Sequence, residues 1–231
     1  MEFDSINTEN YTLKYYIKLI TVITFSLLIL SCSNNNSDNA DTNVPEQEAV
    51  PAETSPANTQ SNYDPDAIEK YDFRKAHWGM SKQEVKDSED GEPALEKENN
   101  LEYSTVMFEV QFQIGYTFFN DELIRAGFLM LTKPETNEEY VEKYNQLKKE
   151  LTKINGEPVI DTKQSIDPSK TVAEDKKADA VCNGDMLYAT QWDLPHTDIQ
   201  LVLRGDKSEC VLTVLYLSEE GVRKLLEERT N

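Results

Sequence analysis

The sequence predicts an α+β fold: two units, each a helix plus three antiparallel strands, form a helix-covered antiparallel sheet that a C-terminal helix closes. Three observations predict it. Apolar residues alternate with mostly polar ones from Val106 through Phe108, Val110, Phe112, Ile114, Tyr116 and Phe118, the period of two of a half-buried strand. Tyr140, Val141, Tyr144, Leu147, Leu151 and Ile154 fall on one stripe at helical spacing. And Gly91-Glu92-Pro93 recurs as Gly156-Glu157-Pro158, each after a helix signal, which is the mark of an internal repeat.

The chain opens with an export pattern. Lys14-Tyr15-Tyr16-Ile17-Lys18 precedes the apolar run Leu19 to Leu30, which ends at Ser31-Cys32. A membrane helix needs about 20 apolar residues, so this run is too short to be a comfortable span, and a retained N-terminal helix is the weaker alternative. Residues 1–31 are therefore expected to be a lipoprotein signal peptide. Ile29-Leu30-Ser31-Cys32 resembles a bacterial lipobox, although Leu30 is larger than the residue usual at its place. That resemblance implies cleavage before Cys32 and acylation of its thiol, giving a membrane-anchored protein outside the cytoplasm, on a membrane the sequence does not specify. Residues 32–63 are expected to form a disordered tether, because the text from Ser33 to Asn62 is rich in Asn, Ser, Thr, Pro, Ala and acid, with Val44 and Val50 its only sizeable apolar groups.

The globular part is expected over residues 64–231. Asp64-Pro65 supplies an N-cap and a first-turn proline for a short helix through Ile68 and Tyr71. Unit one spans 73–132. Ser81 and Glu84 form a capping box for a helix over about 82–90, with Met80 placed to staple on Val85. Its strands follow Gly91-Glu92-Pro93, with turns near Met107 to Glu109 and at Asn120-Asp121-Glu122. Unit two spans 133–217. Thr136 and Glu139 form a second capping box for a helix over 137–155, and each Gly-Glu-Pro glycine is expected at a left-handed C′ position. Met186-Leu187-Tyr188-Ala189-Thr190 matches Leu101-Glu102-Tyr103-Ser104-Thr105, and turns follow at Pro195-His196-Thr197 and Gly205-Asp206-Lys207. The polar stretch between Ile160 and Gly184 is expected to be a long mobile loop. A last helix is expected over 218–229 through Val222, Leu225 and Leu226.

Trp78-Gly79-Met80-Ser81-Lys82-Gln83-Glu84-Val85, followed by Gly91-Glu92-Pro93 and Tyr103, resembles the signature of SmpA/OmlA-like outer-membrane lipoproteins and of β-lactamase-inhibitor-protein-like repeats. The likeness covers residues 73–217, although the second unit lacks the Gly-Met. It implies a repeated α+β interaction module of the kind that assists envelope assembly.

Charge and residue types narrow the chemistry. The chain carries 23 basic and 43 acidic groups; without residues 1–31 it keeps 21 and 40, a net charge of −19. So acidic a chain is repelled by nucleic acid and by anionic headgroups, which excludes DNA, RNA and electrostatic membrane binding. With Cys32 assigned to lipid, Cys182 and Cys210 are left either as a disulfide or as a pair of inert thiols. His77 and His196 come without the companions of a hydrolase or metalloprotease motif, and no glycine-rich phosphate loop is present. Glu174, Asp175 and Asp179 lack calcium-loop order, so neither a metal nor a cofactor is expected.

What remains is binding. The expectation is a non-enzymatic module that presents a sheet face, or the 160–184 segment, to a cell-envelope protein. An inhibitor of a secreted enzyme, a ligand-binding lipoprotein and an enzyme with an unrecognised site are the alternatives. Tyr103, Phe108, Phe112, Tyr116, Phe118, Phe119, Phe128, Tyr188 and Trp192 are expected mostly in the core, with any exposed one marking a partner site.

Overall fold

Strand β3, Val110–Phe119, shows how sequence becomes architecture: Val110, Phe112, Ile114, Tyr116 and Phe118 are buried and the residues between them are partly or fully exposed. The computed structural model describes residues 72–206 and 209–230, all within one unit, Gln60–Asn231. The signal segment 1–31, Cys32, the tether, the helix expected at Asp64 to Tyr71 and the turn at Lys207 lie outside the described residues.

The elements, in chain order, are α1 (Lys82–Ser88), β1 (Leu95–Lys97), β2 (Asn100–Met107), β3, β4 (Glu122–Met130), α2 (Asn137–Asn155), β5 (Ile160–Ser165), a 3-10 turn (Glu174–Lys176), α3 (Lys177–Cys182), β6 (Met186–Leu194), β7 (Thr197–Asp206), β8 (Glu209–Ser218) and α4 (Glu219–Thr230). The strands form one antiparallel sheet in the order β1-β2-β3-β4-β8-β7-β6-β5. The fold is α+β with eight strands, where patterning alone gives six. The additional two, β1 and β5, are the edges. Their polar, weakly alternating text, Leu-Glu-Lys and Ile-Asp-Thr-Lys-Gln-Ser, suits strands that face water along one side.

The segment between Ile160 and Gly184 is not the structureless loop its composition suggests. It contains β5, the 3-10 turn and α3, and the three apolar residues Ala180, Val181 and Cys182 are buried. So short an apolar run shows no helical period, yet it is enough to hold one helical turn on the core.

Helix α1 starts with a complete capping box: Ser81 Oγ accepts from the Glu84 amide, and the Glu84 carboxylate accepts from the Ser81 amide at 2.8 Å. At α2 only half of the box forms. Thr136 Oγ1 accepts from the Glu139 amide, but the Glu139 carboxylate accepts from Glu135 N instead of Thr136 N. Gly156 (φ 80°) is the C-cap of α2 itself, while α1 ends on an extended Glu89 and Gly91 (φ 85°) follows two residues later. Both glycines adopt positive φ, but neither sits as the C′ residue of a left-handed cap.

Two apolar clusters line one face of the sheet. In one, Tyr140, Tyr144, Leu147 and Leu151 of α2 and Ala180 and Val181 of α3 pack against Tyr188, Trp192, Ile199, Leu201, Leu203 and Val214. In the other, Phe73, Ala76 and Val85 cover Leu101, Tyr103, Ile114, Tyr116, Phe118 and Leu123. Phe128 and Tyr216 pack against both. The opposite face is not the open surface that one-sided alternation implies: Leu187, Ala189, Val202 and Leu215 are buried there and belong to neither cluster. Every residue of β6 from Met186 to Trp192 is buried, as befits a strand packed on both sides. At β4, helix α4 approaches so closely that a Cβ on Gly221 would lie 2.5 Å from Ile124 Cγ2.

Candidate functional site

The strand aromatics sort into core and surface. Tyr103, Phe112, Tyr116, Phe118, Tyr188 and Trp192 are buried, Phe119 and Phe128 are half-buried, and Phe108 is 44% exposed. The polar ends of most buried rings are satisfied. Trp192 Nε1 donates to the Gly156 carbonyl at 2.9 Å, so the second Gly-Glu-Pro glycine anchors the sheet's one tryptophan. Tyr144 Oη bonds Thr190 Oγ1 at 2.6 Å, and Trp78 Nε1 donates to Thr197 Oγ1 at 2.8 Å, tying the lead-in loop to the start of β7. Burial raises the Tyr144 phenol well above its ordinary value.

A buried ionic cluster escaped the sequence reading. Arg74, in a left-handed turn (φ 53°), donates through Nε and Nη2 to the two carboxylate oxygens of Glu89 at 2.9 Å each, and Tyr116 Oη donates to the same carboxylate. The Glu89 side chain is only 2% exposed, so the fork of Arg74 is what makes its charge tolerable. Burial first, then the Glu89 charge, pushes the Tyr116 phenol far up. Tyr103 Oη, also buried, has no hydrogen-bond partner. No local motif announces such a pair, because 15 residues separate its members.

Cys182, the last residue of α3, is bonded to Cys210 of β8, with the two Cα atoms 4.4 Å apart. The approach depends on Gly205: a Cβ there would fall 2.3 Å from the Cys182 carbonyl oxygen. The cross-link therefore fastens the end of the 160–184 segment to the sheet.

The remaining candidates carry no assembled chemistry. His77 Nδ1 lies 3.5 Å from Asp72 Oδ2, and His196 occupies the β6–β7 turn with φ 86°. Glu174 pairs with Lys177, and Asp179 accepts from Asn137. Among the described residues no three His, Cys, Asp or Glu side chains are grouped to hold a metal, and no helix is long and apolar enough to cross a membrane.

One end of the sheet stands out. The β2–β3 turn is Phe108-Glu109, and around it Val106 is 69% and Leu131 40% exposed. Val106 pairs with Gln111, whose carbonyl accepts from the Leu131 amide at 2.8 Å, so the two side chains flank one cross-strand position.

The fold and these sites define an α+β protein with a disulfide-fastened, helix-covered antiparallel sheet. Compared with protein-family models, with curated proteins and with solved structures, the chain matches none.

Proposed function

We propose that this protein is a lipid-anchored, extracytoplasmic interaction module of a bacterial envelope, without enzymatic activity of its own. The observation that carries the reading is the Cys182–Cys210 bond in a chain whose third cysteine, Cys32, ends an export pattern. Structural disulfides persist in oxidising compartments and are rare in the cytosol. On this reading Cys32 carries lipid and residues 32–63 tether the folded part to its membrane.

The sheet is read as a duplicated unit. Its strand order runs β1 to β4 from one edge and β5 to β8 from the other, meeting where β4 pairs with β8, and each run is preceded by a helix that ends close to a Gly-Glu-Pro. That arrangement supports the kinship with SmpA/OmlA-like lipoproteins that the Trp78 to Val85 text suggests. The function that kinship implies is docking to an envelope protein.

The test is fractionation of cells that make the native chain or Cys32→Ser, followed by pull-down from detergent-solubilised envelope. Wild type should partition with membranes and Cys32→Ser should not. A defined envelope complex supports the module, a secreted hydrolase in the eluate supports the inhibitor alternative, and turnover of a small molecule by the purified protein alone refutes both.

A further inference from the structure

Two hairpin turns of this sheet share one backbone shape and differ in what the chain puts there. The β3–β4 turn is Asn120-Asp121 with φ of 51° and 62°. The β2–β3 turn is Phe108-Glu109 with φ of 53° and 61°. Two consecutive residues at positive φ are what a two-residue hairpin asks for, and Asn, Asp and Gly are the residues that tolerate it. Asn120-Asp121 obeys this rule. Phe108 breaks it, because a bulky side chain in the left-handed region is an outlier, and it does so while leaving its ring 44% exposed. Neither folding nor solubility explains a phenylalanine there. A strained residue that also exposes apolar surface points to use.

The setting adds to the case. Met107 and Val110, on either side of the turn, are packed into the core, so the base of the finger is fixed. Val106 and Leu131 extend the apolar surface along one flank. Strand register brings Glu109, Asp185, Asp206 and Glu209 to this same end of the sheet; among the described residues Lys133 is spent on Glu209 there at 2.8 Å, Lys163 lies over the Tyr188 ring, and Arg204 pairs in register with Leu187.

We propose that the β2–β3 hairpin end, Val106, Phe108 and Leu131 with Glu109, is the docking surface of this module, and that it fits an apolar pocket rimmed by lysine or arginine on a folded protein partner. The acidic surround sets the partner class: Glu109 would have to be dehydrated to follow Phe108 into a lipid surface, whereas a basic rim pairs it. The inference rests on the interaction-module reading and adds to it the place and the chemistry of contact.

The experiment is photo-cross-linking in cells with p-benzoylphenylalanine placed, in the full-length chain, at position 108, at the exposed Val159 just before edge strand β5 at the other end of the sheet, or at Asn145 on the exposed side of α2. The cross-linked protein is identified, purified and titrated against the full-length chain. The expected result is a discrete product at 108 alone, with binding weakened tenfold or more by Phe108→Ser, weakened by Glu109→Lys and weakened by added salt. A second variant, Phe108→Asn with Glu109→Gly, should raise the melting temperature while losing the partner, which separates a docking role from a structural one. A product at 159 and none at 108 overturns this inference and leaves the module reading standing. No product at any position counts against both. Binding of neutral phosphatidylcholine vesicles that Phe108→Ser abolishes would assign the finger to a membrane and also overturn the proposal.

Discussion

The two halves of the sheet solve the same burial problem by different means. Over β2–β4 the cover is a loop and the seven-residue α1, which together place only Phe73, Ala76 and Val85 in the buried cluster. What fixes that thin cover is polar: the Arg74 fork on Glu89, backed by Tyr116. Over β6–β8 the cover is the 19-residue α2 with a full apolar stripe, and the accessory helix α3 is fixed by a covalent bond. A cover too small to hold itself by apolar area must be tied down, and the two halves use a buried ion pair and a disulfide for that purpose.

This contrast can be broken from either side. The largest effect is expected from Cys182→Ser. Freeing a bond that closes a 28-residue separation costs about 3.5 kcal/mol in the chain-entropy account. Urea unfolding should show that loss, and hydrogen exchange should show β5 and α3 opening while β2–β4 keep their protection. Glu89→Ala attacks the other half. It strands a part-buried guanidinium and a buried phenol, for a loss of about 2–3 kcal/mol, with faster exchange at Phe73 to Ala76.

Alkaline titration sharpens the picture further, because each half buries a phenol. The Tyr116 and Tyr144 phenols are both raised above the ordinary value of 10.0, with desolvation the largest cause in each. In an unfolded chain they ionise near pH 10 while the fold still holds their protons. The stability they lend is complete below that pH and is lost as pH climbs towards their folded values, at about 1.4 kcal/mol per pH unit for each phenol. Arg125, whose pKa burial lowers to about 10, works against one of them over the same range. The net expectation is falling stability above pH 10, and Tyr144→Phe should flatten the slope by about one proton. The smallest effect is local: Thr136→Ala removes the remaining half of the α2 capping box for about 1 kcal/mol.

What could be read beforehand follows the same physics. Helix α2 and the hairpins β3–β4 and β6–β7 are written in local period, caps and turn residues, so their text is enough, whereas the β2–β3 turn is placed only by its analogy with the second unit. The edge strands β1 and β5 are not, because half-hydrated strands need no alternation. Helix α3 rests on Ala180, Val181 and Cys182 amid charged text, too few for a period. The Arg74–Glu89 pair and the close approach at Gly205 are contacts between elements, and no window along the chain contains them. Phe108 shows the reverse case. The alternation of apolar residues runs straight through it, and although the likeness of the two units places the turn near it, only the backbone reveals the left-handed conformation that a phenylalanine disfavours.

Non-reducing peptide mass spectrometry of the protein extracted from membranes tests both the anchor and the cross-link, and the anchored, disulfide-bonded state makes one prediction for it. The expected result is an N-terminal peptide that begins at an acylated Cys32, together with a linked pair of peptides carrying Cys182 and Cys210. A retained leader with all three thiols free would contradict it.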